Sequence, residues 1–218
     1  MEKIQLHTRE QEIIFDEIKK NEFLKSHFYF TGGTALSSLY LHHRYSDDLD
    51  FFNANQFDNQ ILFTLMNDWS KKHSFTFTSN FVEVVYIFLL TFSNKSELKV
   101  DFSYYPYKRL EKESLVNDIA VDSLLDIAVN KLLTISQRTE VKDFVDLYYL
   151  LDIFTIWDLR NGVKSKFSID LDPLIIGADF LKVESFNYLP RMIKPLKLEE
   201  LQSFFQKKAE DIGMKAIT

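Results

Sequence analysis

A chain of 218 residues can form one large domain or two smaller ones that share an interface. Because 46% of the residues are hydrophobic and 15% are aromatic, we expect a packed core. The absence of cysteine excludes disulfides and thiolate metal sites and fits a reducing cytosol. The formal net charge of −6 argues against a surface that coats nucleic acid, although it leaves room for a local basic groove.

The sequence carries no recognisable targeting or membrane signal. Its N-terminus, MEKIQLHTREQEIIFDEIKK, mixes charges throughout, whereas a signal peptide has a continuous apolar stretch. No apolar run reaches the ~18 residues of a membrane span. We therefore expect a cytoplasmic protein without a membrane partner.

The first 122 residues predict a mixture of helices and strands. A helix is expected over residues 8–25, where Thr8 and Gln11 form a capping box. Later segments of this half alternate between helical and strand periodicity. The remaining predicted elements are a strand at 28–30, a helix at 35–40, a strand at 48–52, a helix at 58–73, and strands at 75–79, 82–92, 97–105 and 119–121.

The residues from Ser123 onward carry helical periodicity only. This shift in pattern predicts a boundary between an α/β domain, residues 1–122, and a helical domain, residues 123–218. Several prolines fit the starts and connections of helices in this second part. Its predicted helices cover residues 123–137, 140–153, 155–166, 172–183 and 198–212.

The stretch from residue 28 to residue 52 carries the strongest chemical signals. Gly32 and Gly33 follow a predicted strand and precede a helix, where glycine lets a phosphate approach backbone N–H groups. In the next strand, alternation points Asp48 and Asp50 to the same face. Two neighbouring carboxylates repel each other unless a cation lies between them, and Mg²⁺ takes one or two protein carboxylates together with phosphate oxygens. The sequence therefore predicts a phosphate cradle beside a metal site, with a solvated acidic turn as the alternative.

Asp101 is a further candidate, in the middle of the predicted strand 97–105. An ionised side chain at such a position is costly to bury unless it is paired or bound to a metal. The alternative is an aspartate on an edge strand that faces water.

A second group of charged residues lies on two predicted helices of the C-terminal half. On the later helix, Lys142, Asp143 and Asp146 are spaced so that they lie close to one face. Charged residues at this spacing are commonly surface salt bridges, which is the alternative to a functional role. The whole group comprises Asp126, Asn130, Lys131, Arg138, Lys142, Asp143 and Asp146.

Two stretches, Gly32-Gly33-Thr34-Ala35-Leu36 and His43-Arg44-Tyr45-Ser46-Asp47-Asp48-Leu49-Asp50-Phe51-Phe52, resemble the AbiEii/AbiGii abortive-infection toxin family. That family belongs to the nucleotidyltransferase superfamily, whose shared motif is a Gly-Gly or Gly-Ser turn followed by Asp-x-Asp. The resemblance covers roughly residues 25–152. It implies an α+β fold in which an N-terminal nucleotidyltransferase-type mixed sheet flanked by helices is followed by a C-terminal helical bundle.

The resemblance also implies roles for the candidate residues. Asp48, Asp50 and Asp101 would hold two Mg²⁺ ions, and Asp101 would in addition act as the general base. The turn residues would bind the β- and γ-phosphates of a nucleoside triphosphate, NTP, while the lead-in to the Asp pair would contact phosphate or brace that pair. Lys131 and Lys142 would clamp the triphosphate, and one of Asp143 and Asp146 would be catalytic or orient Lys142 or Arg138. The turn residues are Gly32, Gly33 and Thr34, and the lead-in residues are Arg44 and Ser46.

The activity implied by the resemblance is transfer of a nucleoside monophosphate from an NTP to an acceptor hydroxyl by a toxin with a cognate antitoxin. The favoured acceptor is the end of a tRNA. Three alternatives stay open: a protein acceptor, an NTP-binding module without transfer activity, and a role in which the C-terminal helices engage the antitoxin. The sequence specifies neither the nucleotide nor the acceptor.

Overall fold

In the computed structural model of the chain, which describes residues 4–217, two compact units are present. The first, which we name the sheet unit, holds the residues up to Tyr40 together with Ser46–Lys108 and Lys112–Asp122. The second, which we name the helical unit, holds Leu41–Tyr45, Arg109–Glu111 and the residues from Ser123 onward. The helical unit therefore includes two short stretches that precede residue 123.

The sheet unit is built on a mixed sheet that has seven strands within residues 4–217. The strands are β1 (Tyr29–Thr31), β2 (Leu49–Asn53), β3 (Phe75–Val82), β4 (Val85–Phe92), β5 (Glu97–Tyr104), β6 (Ser114–Val116) and β7 (Ile119–Val121). Their order is β3-β4-β5-β2-β1-β7-β6. The β2–β5 and β1–β7 pairs are parallel, and the other neighbours are antiparallel.

Four α-helices accompany these strands in the described sequence. They are α1 (Arg9–Lys20), α2 (Glu22–His27), α3 (Gly32–Ala35), which continues as a π-helical segment (Leu36–Leu41), and α4 (Asn59–His73). The predicted capping box at Thr8 and Gln11 is confirmed. The single helix predicted over residues 8–25 is wrong, because Asn21 has extended backbone that ends α1, and its side chain accepts the Leu24 N–H to cap α2.

The alternation of β2 and β5 separates a core face from a polar face. Phe51 and Phe102 stack with ring centroids 5.5 Å apart, and Phe30 from β1 lies 5.3 Å from Phe51. These three rings are essentially fully buried. Because successive side chains in a strand point to opposite faces, Asp50 and Asp101 lie on the other side of the sheet.

Several strand predictions differ from the structure. The run predicted at 82–92 begins instead at Val85, because Glu83, with φ at 55°, turns the chain into a β3–β4 hairpin. Strand β2 begins at Leu49, so that Asp48 lies just before the strand and not within it. Strand β6 was missed by the sequence pattern. It pairs with β7 through a two-residue turn at Asn117 and Asp118, both of which have positive φ.

The helical unit packs its helices around buried aromatic side chains. The ring of Phe144 lies 5.0 Å from that of Phe186 and 5.1 Å from that of Phe205. Over the described residues, no helix combines the length and apolarity that crossing a membrane requires. The helices are α5 (Leu124–Gln137), α6 (Val141–Leu150), α7 (Ile156–Phe167), α8 (Pro173–Leu181) followed by a 3₁₀ turn (Lys182–Ser185), and α9 (Leu198–Ile217). The predicted α+β class, a mixed sheet with helices followed by a helical part, is confirmed.

Candidate active site

The glycine turn lies directly against Asp50. Strand β1 pairs with β2 so that Thr31 is the register partner of Asp50, and the chain turns into α3 one residue later. Gly32 has φ at +75°, and a Cβ built on it would overlap the Oδ2 atom of Asp50. Glycine is therefore needed at position 32 both for the backbone conformation and for the close approach of the carboxylate. Gly33 follows as the second residue of α3.

Two neighbouring polar residues brace the Asp pair from within the sheet unit. Thr34 is fully buried, and its hydroxyl donates a hydrogen bond to the backbone carbonyl of Asp48. Ser46 is buried as well, and its carbonyl accepts a 2.8 Å hydrogen bond from the side-chain amide of Gln11 on α1. Both contacts fix the backbone that leads into β2. The predicted contacts of these two residues with phosphate stay predictions.

Asp50 and Asp101 lie side by side on neighbouring strands. They are register partners in the parallel β2–β5 pair, so their side chains emerge on the same face of the sheet. Asp101 is 8% exposed, while Asp50 and Asp48 are half-buried. The two carboxylates that lie far apart in the sequence are thus brought together by the strand register, with Asp48 just ahead of β2.

Lys99 is a member of this cluster that the sequence interpretation did not select. Its ammonium Nζ donates a hydrogen bond of 2.5 Å to Oδ2 of Asp101. Burial lowers the pKa of Lys99, but the hydrogen bond and charge of Asp101, together with the charges of Asp48 and Asp50, outweigh burial and raise that pKa. The signal in the sequence is the spacing of two residues between Lys99 and Asp101, which places both on the same face of a strand.

The donor set at this place suits a hard divalent cation. Carboxylate oxygens are the ligands that Mg²⁺ prefers, and it usually takes only one or two of them alongside phosphate oxygens and water. Within the described part of the chain, however, no three His, Asp or Glu side chains form a group that could hold a metal ion by themselves. The residues that fit such an ion are therefore the neighbouring pair Asp50 and Asp101, with Asp48 next to them in the chain.

The charged residues of the helical unit form a separate, buried network centred on Asp146. Arg44 binds both oxygens of this carboxylate, with Nε 2.6 Å from Oδ1 and Nη2 2.9 Å from Oδ2. Nε2 of His43 lies 2.7 Å from Oδ1, and Nζ of Lys131 lies 2.6 Å from Oδ2. Asp146 is fully buried, and Arg44 is only 3% exposed. All four groups therefore meet away from solvent.

Asp143 extends this network by one turn of α6. It accepts a 2.7 Å hydrogen bond from Lys131 and two hydrogen bonds, of 2.7 Å and 3.1 Å, from the guanidinium of Arg138. Asp143 is fully buried and Lys131 nearly so, whereas the Arg138 side chain is half exposed. Lys142, which precedes Asp143 on α6, is half-buried. The candidates on α5 and α6 are thus joined to one another mainly through Lys131.

The electrostatics of the network favour the charged forms of Asp146 and Lys131. Burial raises the pKa of Asp146, but the charges of Arg44 and Lys131, with hydrogen bonds from His43 and Arg44, hold that pKa well below its usual range. Burial lowers the pKa of Lys131, but the charges of Asp146 and Asp143 raise it. His43 responds differently, because burial lowers its pKa more than Asp146 raises it. The network therefore consists of ionised carboxylates and cations beside a neutral imidazole.

The structure thus sorts the predicted site residues into two groups. The sheet unit brings together the glycine turn, the buried brace and the carboxylates, and the helical unit brings together the buried ion pairs. Sequence reasoning missed Lys99 in the first group and His43 in the second. The first group contains Gly32, Gly33, Thr34, Ser46, Asp48, Asp50 and Asp101, and the second contains Arg44, Lys131, Asp143 and Asp146, with Lys142 beside it.

Comparison with known proteins gives a match along nearly the whole chain. The family model described as "Nucleotidyl transferase AbiEii toxin, Type IV TA system" matches residues 15–216. An uncharacterized protein of Aquifex aeolicus strain VF5, aq_aa25, is 31% identical over 192 residues, which is 84% of this chain and 87% of that protein.

Solved structures share the fold at lower sequence identity. JHP933 from Helicobacter pylori aligns with a TM-score of 0.56 and 21% identity, covering 94% of this chain and 91% of that one. MenT4, a nucleotidyltransferase toxin from Mycobacterium tuberculosis H37Rv, aligns with a TM-score of 0.50 and 14% identity, covering 92% and 82% of the two chains. The family model and the relative that is 31% identical decide the assignment, and the two structures agree with it in fold. The chain belongs to the AbiEii family of nucleotidyl transferase toxins of type IV toxin–antitoxin systems.

Proposed function

We propose that this protein transfers a nucleoside monophosphate from an NTP to an acceptor hydroxyl and releases pyrophosphate, in a reaction that depends on Mg²⁺. The observation that carries the proposal is the register of β2 with β5, which sets Asp50 beside Asp101, together with the contact of Gly32 against Asp50. A glycine turn that leads into a helix, where backbone N–H groups can bind phosphate, and a pair of hard oxygen ligands are thereby combined in one small region. Family membership supports the same reaction class.

Asp48, Asp50 and Asp101 are the residues that would hold the metal, and two ions are expected. A divalent ion at this place would neutralise phosphate charge and orient the phosphates for in-line displacement. Asp101 accepts the proton of the attacking hydroxyl as that oxygen bonds to the α-phosphorus. The bond between the α-phosphorus and the bridging oxygen breaks, and pyrophosphate leaves with its electrons. The N–H groups of Gly32 and Gly33 bind the departing phosphates.

Arg44 and the residues bound to it hold the chain segment that precedes the Asp pair. The guanidinium of Arg44 donates to Asp146 through Nε and Nη2 and to the carbonyl of Tyr45 through Nη1, which lies 2.9 Å from that oxygen. Ser46, Asp47 and Asp48 follow directly in the chain. We therefore assign Arg44, Lys131, Asp143 and Asp146 to holding this lead-in, and Lys142 to binding the triphosphate.

The end of a tRNA is the favoured acceptor, and a protein hydroxyl is the second candidate. The first follows from the resemblance of the motifs to toxins that modify tRNA. The second is favoured by the net charge of −6, which does not suit a surface that binds long stretches of nucleic acid. A cognate antitoxin is expected as a partner, because the family model describes a toxin of a type IV system.

Labelled NTPs test the proposal directly. The purified protein is incubated with Mg²⁺, each α-³²P-labelled NTP in turn, and a mixture of total tRNA and cell protein. We expect wild type to transfer label from at least one NTP, and Asp48→Asn to transfer at least about a thousandfold less, because loss of a metal-binding carboxylate removes charge stabilisation in the transition state. RNase or protease treatment of the labelled product identifies the acceptor class.

A matched variant separates lost chemistry from lost structure. Asp47 is exposed and adjacent to Asp48, so Asp47→Asn removes the same charge from the same loop. It should keep transfer within about threefold of wild type, as surface changes usually have small effects. Label incorporation by Asp48→Asn at the wild-type rate would remove the metal site from the proposal. Binding of an NTP without transfer to any acceptor would instead favour the module without transfer activity.

A further inference from the structure

Lys99 places its ammonium group beside the carboxylates of the candidate active site. It precedes Asp101 by two residues on β5, and both side chains emerge on the face of the sheet that carries Asp50. Its Nζ is 2.5 Å from Oδ2 of Asp101, and 38% of its side chain is exposed. The ammonium is therefore held at the carboxylates, yet it remains accessible from solvent.

The charges around Lys99 come from all three candidate metal ligands. Asp101 contributes a hydrogen bond and a charge, and Asp48 and Asp50 contribute charges that act on the same ammonium. Three carboxylates gathered near one another repel unless a cation offsets them. The ammonium of Lys99 supplies a positive charge at this place, 2.5 Å from Oδ2 of Asp101.

We propose that Lys99 is the built-in counter-cation of this carboxylate cluster and that a divalent metal ion must displace its ammonium from Asp101 in order to bind. The inference rests on the proposed metal site and adds a residue that controls it. The four-carbon stem of lysine is flexible, so the ammonium can leave Asp101 without a change in the strand backbone. Lys99 is thus a positioning residue, which keeps the carboxylates together before metal and nucleotide arrive and weakens metal binding in return.

The proposal predicts that removing the lysine charge tightens metal binding. Mn²⁺ is used as the probe, and free Mn²⁺ is measured by electron paramagnetic resonance during titration of the full-length protein without nucleotide. Lys99→Met should lower the dissociation constant about tenfold, a ratio that corresponds to ~1.4 kcal/mol. Lys99→Arg, which keeps the charge, should stay within about twofold of wild type.

Two controls define the comparison. Lys71 is exposed on α4, so Lys71→Met makes the same change in net charge away from the cluster and should leave Mn²⁺ affinity unchanged. Lys99→Gln can still donate a hydrogen bond to Asp101 and removes the charge alone, which protects the test if Lys99→Met folds poorly. Lys99→Gln should therefore tighten Mn²⁺ binding in the same direction.

The outcomes separate this inference from the proposed function. If Asp101→Asn abolishes Mn²⁺ binding while Lys99→Met and Lys99→Gln bind Mn²⁺ as wild type does or more weakly, the metal site stands and the role of Lys99 is wrong. If wild type and Asp101→Asn bind Mn²⁺ equally, the carboxylate cluster is not the metal site, and both the proposed function and the inference fail. If Lys71→Met also binds Mn²⁺ more tightly than wild type, the change in the net charge of the protein explains the effect, and the inference is overturned.

Discussion

The two groups of charged residues in this protein use carboxylates in opposite ways. In the sheet unit, Asp48 and Asp50 are half-buried beside Asp101, and the lysine at this cluster, Lys99, is partly exposed. In the helical unit, Asp146 is fully buried and is bound by one arginine, one lysine and one histidine. An accessible, like-charged cluster is suited to exchange one cation for another, whereas a closed and neutralised network is suited to hold backbone in place.

Replacement of an aspartate by asparagine should therefore have different consequences in the two units. The largest effect on stability is expected at Asp146. Asp146→Asn leaves Arg44 buried without this carboxylate and leaves Lys131 with Asp143 alone, which should lower the free energy of unfolding by about 3–5 kcal/mol. Urea denaturation followed by circular dichroism measures the change. Asp152→Asn, an exposed position in the same unit, should change stability by less than about 0.5 kcal/mol.

Acid unfolding gives a second check on Asp146. Since the folded state lowers the pKa of this carboxyl, its contribution is complete above the unfolded pKa of about 3.9 and is lost as the pH falls through the folded pKa. The gap in stability between wild type and Asp146→Asn should therefore be constant near neutral pH and should narrow below about pH 4. A gap of the same size at pH 3 and pH 7 would contradict the ionised network.

Much of the fold was predictable because local patterns determine it. The capping box at Thr8, the glycine turn after β1 and the change to helical periodicity at Ser123 are each properties of a few neighbouring residues. The break at Asn21 and the hairpin at Glu83 were not predicted, since apolar periodicity continues across the first, and the second depends on a left-handed residue that is not glycine.

The site was predictable in its residue types but not in its pairings. Motif resemblance selected Asp50 and Asp101, yet only the register of two parallel strands shows that they are neighbours. Helical spacing placed Asp143 and Asp146 near one face of α6, but spacing alone cannot say whether that face meets solvent or the protein interior. Charged residues are rarely buried unless paired, and the partner of Asp146, Arg44, lies 102 residues away in the sequence.

An intermediate effect, on both stability and chemistry, is expected at Gly32. Gly32→Ala places a Cβ against Oδ2 of Asp50 and forces a residue with a side chain into φ of +75°. The backbone conformation alone should cost about 1–3 kcal/mol, and displacement of Asp50 should lower nucleotide transfer as well. Gly213→Ala is the matched control, because a Cβ at that helical position meets nothing within 4 Å and should be neutral or stabilising by up to about 1 kcal/mol. Thermal melting and the label-transfer assay measure both effects. If Gly32→Ala melts and transfers label as wild type does, the close contact between residue 32 and the Asp50 carboxylate is not required.

The smallest effect on the fold is expected at Lys142, and this residue tests whether the proposed triphosphate contact exists. Lys142 is half-buried on α6, whereas Lys131 is enclosed by Asp143 and Asp146. Lys142→Ala should weaken binding of an NTP by roughly tenfold, as loss of one charged contact to phosphate would, while changing the free energy of unfolding by less than about 0.5 kcal/mol. Lys131→Met should show the reverse, a large loss of stability, because two buried carboxylates lose a cation that they share. Isothermal titration with a non-hydrolysable NTP analogue, alongside urea denaturation of both variants, measures the two quantities. Unchanged NTP affinity in Lys142→Ala would remove Lys142 from the proposed triphosphate contacts.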